Sequence, residues 1–172
     1  MVRFIFIIVL LLTQFNTTFA FSKIVYVDMN KIISSSVSGL SILKQLNELS
    51  KKNSKNYKKK EESIKDKEKK IISQKNILSE EDFIIKVNKL KTEIKEYNED
   101  RNNSLKDFDN IKINNTNKFL KLINPILLKY SEDNSISIIL QKKDLVVGKN
   151  ELDITDKVIK IIDDKIKEFK IN

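Results

Sequence analysis

The sequence predicts a mostly helical α+β protein. A long antiparallel helical hairpin, in effect a coiled-coil arm, stands on a small β-strand body that closes by self-association. Three observations predict this. Two Gly and one Pro in 172 residues are too few to punctuate a sandwich, a barrel or a doubly wound sheet, which need a turn roughly every dozen residues. Apolar residues recur at threes and fours through the middle of the chain, the spacing of paired helices. Short β-branched runs occur only near its two ends, where they read as strands.

Residues 1–20 read as a cleavable secretory signal peptide, cut after Ala20. Met1-Val2-Arg3 precedes an apolar run from Phe4 to Leu12, followed by polar Thr13-Gln14 and by Thr18-Phe19-Ala20. The run is about half the ~20 residues that span a bilayer, and Thr18 and Ala20 suit the small-x-small cleavage pattern. Thr13, Gln14, Asn16, Thr17 and Thr18 interrupt the apolar stretch, which argues against an uncleaved anchor helix. The absence of Cys excludes a lipoprotein anchor. An exported chain without Cys must also be stabilised by packing or association instead of disulfides.

Lys23–Met29 (KIVYVDM) is short and apolar on both faces, the pattern of a buried strand. From Leu40 onward the period becomes helical, with Leu43, Leu46, Leu49, Tyr57, Ile64, Ile71 and Leu78 recurring near sevens. The seam through 43, 46, 50, 53, 57, 60, 64, 67 and 71 contains polar Ser50, Asn53, Lys60 and Lys67. Such a helix buries little by itself and needs a partner. Ser79-Glu80-Glu81-Asp82 starts that partner: Ser79 is a natural N-cap, and three acids complement the positive helix end. Phe83, Val87, Leu90, Ile94, Tyr97, Leu105 and Phe108 form the second stripe, which suits antiparallel pairing across a tight connection at 76–79. At ~1.5 Å per residue, Leu49–Leu78 makes an arm roughly 45 Å long.

Beyond Phe119 the second helix continues through Ile123, Ile126 and Tyr130, with a kink or break expected at Pro125. Ser135–Leu140 and Leu145–Val147 read as two strands of a hairpin joined by Gln141–Asp144. A last helix is expected from about Asp153-Ile154-Thr155, with Val158, Ile159, Ile161, Ile162 and Ile166 on its apolar face. The expected organisation is therefore a signal peptide (1–20), a body (21–48 plus 112–172) and a hairpin arm (49–111). Three strands and one or two helices make a marginal core with open strand edges, a reason to self-associate.

The chain has no Cys and no His, which removes thiolate nucleophiles, imidazole bases and Cys/His metal sites. No catalytic, cofactor-binding or metal-binding residues are expected, so the protein reads as a non-enzyme with no cofactor. Its best acidic pair, Asp153 with Asp156, is explained by helix capping and first-turn acids. Charge must be read against a bias, since Lys, Ile and Asn number 31, 27 and 18. Even so, residues 51–75 carry eleven Lys against four acids. Lys58, Lys59, Lys60, Lys67 and Lys70 are the candidate client- or anion-facing residues; the plain alternative is a solvated helix face partly offset by Glu93, Glu96, Glu99 and Asp100. Export, and the lack of interleaved aromatic residues, speak against nucleic acid as a partner. Anionic lipid headgroups or acidic polypeptides fit better. Val25, Val27, Ile138, Ile139, Val146 and Val147 are the candidate body residues, in the core or at a subunit interface.

A signal peptide, Lys-Ile-Val-Tyr-Val-Asp-Met (23–29), a charged hairpin, Asn-Pro-Ile-Leu-x-Lys-Tyr (124–130), Ile-Ile-Leu (138–140) and Leu-Asp-Ile-Thr-Asp-x-Val (152–158) together resemble the Skp (OmpH) family of periplasmic chaperones. The resemblance covers the whole mature chain and is most specific at the Val-Asp-Met and Leu-Asp-Ile-Thr motifs. It implies a homotrimer whose strands join into a central barrel, with three arms enclosing a cavity for unfolded outer-membrane proteins. It also implies periplasmic location, ATP-independent holding, delivery of clients for outer-membrane assembly, and attraction of lipopolysaccharide or anionic lipid. With two Gly in the chain there is no Gly-x-x-x-x-Gly-Lys phosphate loop. An exported coiled-coil scaffold without chaperone activity is the alternative, and it predicts a rigid rod or fibre. An intracellular nucleic-acid binder requires the N-terminal segment not to be a signal.

Overall fold

Lys23 and four β-branched or aromatic residues after it form β1 (Lys23–Val27), and the Asp that follows turns the chain into a helix. Asp28 Oδ1 accepts from Lys31 N at 2.9 Å, capping α1 (Met29–Ser35), a short helix the sequence pattern did not reveal. The structure is a computed structural model and describes residues 22–172; the signal-peptide segment lies outside them. Ser36 then caps α2 (Val37–Ser73) by accepting from Gly39 N at 3.1 Å. Gly39 is required here because a Cβ would lie 2.2 Å from the Ile33 carbonyl oxygen, so α1 and α2 could not meet as closely.

α2 runs out and α3 (Glu80–Asp133) runs back, joined by turns at Gln74–Leu78. Ser79 caps α3 as expected, accepting from Asp82 N at 3.1 Å. α3 continues through Pro125 without a break. A Pro inside a helix costs about 3 kcal/mol, which the burial of Ile123 and Ile126 beside it helps to offset. With 54 residues against 37, α3 is longer than α2 by about 25 Å. That excess carries the chain back past the helix α1 and down to the start of β1.

β2 (Ile136–Gln141) can therefore pair with β1 in parallel, Ile24 opposite Ile138 and Val27 opposite Gln141. Parallel neighbours need a long crossover, and here the entire helical hairpin is that crossover. The last helix, α4 (Thr155–Lys165), packs beside them. The core joins Val25 and Val27 (β1), Ile32 (α1), Ile42 and Leu46 (α2), Phe119, Ile123 and Ile126 (α3), and Val158 and Ile162 (α4). Ile136, Ile154 and Phe169 close it.

The expected hairpin after β2 is not formed. Leu145–Val147 is no strand; the chain leaves β2 through a 3-10 turn at Lys142–Asp144 and makes a second at Asn150–Leu152. The second edge of β1 is taken instead by Asp153-Ile154, whose Ile154 N donates to Tyr26 O at 3.0 Å. Gly148 lets the connecting loop lie over the Tyr26 ring, where a Cβ would come within 2.8 Å of Cε1. Among the described residues no helix is long and apolar enough to cross a membrane.

Candidate functional site

Between residues 47 and 114 no side chain is buried. The expected seams are half-covered at Ser50, Asn53, Tyr57, Ile64 and Ile71 on α2 and at Phe83, Val87, Leu90, Tyr97 and Phe108 on α3. Two of the expected stripe residues are left exposed, Leu105 at 57%, on the rim of an interhelical cleft, and Ile94 at 36%. Ser104 and Glu93 take their places because polar side chains bridge the helices: Asn53 Nδ2 donates to Ser104 Oγ at 3.4 Å, and Lys67 Nζ reaches Glu93 at 2.6 Å. The Tyr57 hydroxyl donates to the Asp100 carbonyl at 3.1 Å, with the Tyr97 ring edge-on at 6.1 Å. Beside this contact a cleft of about 230 Å³ opens between Ser50, Asn53, Tyr97, Arg101 and Phe108. The arm is thus held by a few polar bridges and half-buried apolar contacts, not by a dry core.

The five candidate lysines divide into two groups. Lys60 lies 2.5 Å from Asp100 Oδ2 and 5.2 Å from the Tyr57 ring centroid, and Lys67 is paired with Glu93. The Lys60 hydrogen bond holds the Asp100 carboxyl below its usual range and raises the Lys60 ammonium above its own. These two lysines stitch the hairpin. Lys58, Lys59 and Lys70 are exposed and form no ion pair among the described residues, so they present free positive charge. Sequence reasoning missed exposed Ile72, Ile77, Ile84 and Ile85 at the arm's tip. The doublets Ile71-Ile72 and Ile84-Ile85 carry the signal, since adjacent helical residues cannot both face one seam.

In the body, Val25 and Val27 are buried in the core of the single chain and Ile139 is packed against it. Ile138, with Ile24 and Leu140, stays on the surface of the strand pair, and Val146 and Val147 are 101% and 87% exposed. The outer edge of β2 has no strand partner among the described residues.

The two end motifs interlock. Asp28 N donates to Thr155 Oγ1 at 2.8 Å, and the Thr155 hydroxyl in turn donates to Asp153 Oδ1, which also accepts from Thr155 N at 2.9 Å. Lys142 Nζ sits 3.7 Å from Asp28 and 3.8 Å from Asp153, and Lys31 Nζ is 2.6 Å from Asp156. Partial burial pushes the Asp153 carboxyl up, but the two Thr155 hydrogen bonds and the nearby lysines outweigh it and hold the group below its usual range. Asp28 caps α1, and Asp28, Asp153 and Asp156 tie β1 and α1 to the start of α4 through Thr155, Lys142 and Lys31; Asp153 does not cap α4 as expected, because the cap position falls on Ile154, which has no side-chain cap bond.

A family model described as outer membrane protein (OmpH-like) matches residues 23–162. No curated protein sequence matches the chain. Among solved structures, that of a proposed outer membrane chaperone (OmpH-like) from Caulobacter crescentus CB15 superposes with a TM-score of 0.81 at 12% identity, over 88% of this chain and 90% of that one. At such low identity the likeness concerns the fold.

Proposed function

The chain belongs to the OmpH-like family, and on that premise we propose that it is an ATP-independent holdase of the periplasm that keeps unfolded outer-membrane proteins soluble for assembly. The observation that carries this reading is the arm without a buried residue between 47 and 114. A hairpin built as a scaffold would fill its seam. This one leaves Ile72, Ile77, Ile84, Ile85 and Leu105 at least half exposed, interspersed with free lysines. Many weak apolar contacts, each easily broken, hold an unfolded chain without fixing its sequence and release it without an energy source. The unpaired Lys58, Lys59 and Lys70 attract acidic clients, lipopolysaccharide or anionic lipid at a distance.

The body supports assembly into a homotrimer. A two-stranded sheet with an open β2 edge, apolar Ile24, Ile138 and Leu140 on its surface and two solvent-facing valines is an incomplete structure in a single chain. Copies that pair these edges bring three arms around one cavity.

The test is to dilute an unfolded β-barrel membrane protein from urea into purified residues 21–172, without nucleotide, and to follow turbidity and mass by light scattering. A soluble complex of one client with one oligomer supports the reading. A stable oligomer that leaves client aggregation unchanged refutes holding and returns the protein to an exported scaffold.

A further inference from the structure

We propose that a groove at the base of the arm, between α2 and α3, is a binding site for an extended peptide bearing one aromatic side chain, and that residues 166–172 occupy it as a built-in ligand. This inference does not depend on the holdase reading, and the segment lies beyond the residues 23–162 that the family model covers.

α4 ends at Lys165, and the chain then runs on without regular structure. Ile166, Phe169 and Ile171 turn inward while Lys167, Glu168, Lys170 and Asn172 remain exposed. The groove reads the main chain of this segment with side-chain amides. Gln45 donates from Nε2 to the Phe169 carbonyl at 2.6 Å and accepts at Oε1 from Ile171 N at 3.2 Å. The Ser41 hydroxyl also donates to the Phe169 carbonyl, at 3.1 Å. Asn115 repeats the pattern from the opposite helix, accepting from Asn172 N and donating to the Asn172 carbonyl, both at 3.2 Å. Each amide presents one donor and one acceptor to the peptide, as a neighbouring β-strand does.

One side chain is read in depth. Phe169 is 8% exposed and meets the fully buried Phe119 edge-on, centroids 5.8 Å apart. Asn115 is fully buried too with the strap in place; besides the strap its Nδ2 bonds only the Ile111 carbonyl of its own helix, so loss of the strap takes away the partner of Oδ1, which water or another peptide must replace. Main-chain recognition tolerates changes at the exposed positions, so a foreign peptide with an aromatic residue at the same place fits the same contacts. The tethered strap competes at an effective concentration in the millimolar range. A foreign segment therefore enters when the strap loosens, and the strap gates the groove.

The test uses the full mature chain carrying Phe169→Ala and a fluorescein-labelled peptide of sequence Ile-Lys-Glu-Phe-Lys-Ile-Asn, followed by anisotropy. The variant binds the peptide saturably. Wild type binds it at least tenfold more weakly because its own strap competes, and a peptide with Phe replaced by Ala loses at least tenfold on the variant. Gln45→Ala added to the variant weakens binding further. A folded Phe169→Ala chain that does not bind the peptide saturably overturns the proposal. Should that variant not fold, wild type labelled with 4-fluorophenylalanine at position 169 decides. Movement of its fluorine resonance to the solvent position with millimolar peptide supports the groove, and an immobile resonance overturns it.

Discussion

Val146 and Val147 are the most exposed large apolar side chains among the described residues, at 101% and 87%, and they lie where a third strand was expected. Replacing both with Asp should leave the single chain folded, since neither side chain is covered by it. It should, however, break the association of copies proposed above. Full burial of a Val stabilises by about 1.5–3 kcal/mol, so two per chain contribute roughly 3–6 kcal/mol to an interface, before any cost of placing carboxylates in it. At ~1.4 kcal/mol per factor of ten, the double variant should dissociate at concentrations on the order of 10²–10⁴ times higher than wild type. Sedimentation equilibrium over a dilution series measures this directly, with far-ultraviolet circular dichroism confirming that the helices persist. Val158→Asp is the contrasting control: Val158 is fully buried, and that change should unfold the body instead. If the double variant keeps the wild-type mass and dissociation midpoint, these valines are not at an interface and the reasoning about the incomplete sheet fails.

Reversing Lys58, Lys59 and Lys70 to Glu should slow client capture at low ionic strength and matter less at 0.5 M salt, while helicity holds, because these lysines are unpaired; stopped-flow capture rates that do not change would mark them as a solvated face. Asp153 contributes stability through a carboxyl held below its usual value. That contribution is present above about pH 4 and is lost as pH falls through the lower folded value, so Asp153→Asn should flatten the decline of melting temperature between about pH 5 and 2, and a parallel decline would contradict this. Gly39→Ala should lower stability by about 1–3 kcal/mol through the clash with the Ile33 carbonyl, measurable by urea unfolding, and an unchanged midpoint would show that α1 moves aside freely.

Local signals made part of this protein legible. Lys23–Val27 holds three β-branched residues and a Tyr in five positions, Ser79 with three following acids starts α3, and the spacing of threes and fours runs through both arm helices. Each depends on residues within one or two turns of each other. The short helix Met29–Ser35 escaped because seven residues carry too few periods to register, and its cap Asp28 looked like the end of a strand motif. Leu105 and Ile94 fitted the stripe but lost their places to Ser104 and Glu93, whose partners Asn53 and Lys67 stand on the other helix.

Neighbouring residues specify the helical hairpin, its caps, its thin seam, its lysine excess and the apolar segments at the two ends. These follow from propensity, capping and period, all of which are written in neighbouring residues. The parallel pairing of β1 and β2 is not written locally, since it depends on the longer return of α3. The same holds for Leu145–Val147, left without a strand because Asp153-Ile154 holds the edge of β1. It holds equally for Phe169, which finds its place between Gln45, Asn115 and Phe119, on helices fifty or more residues away. Such contacts are selected by which surfaces the folded chain brings together, and no window along the sequence contains both partners.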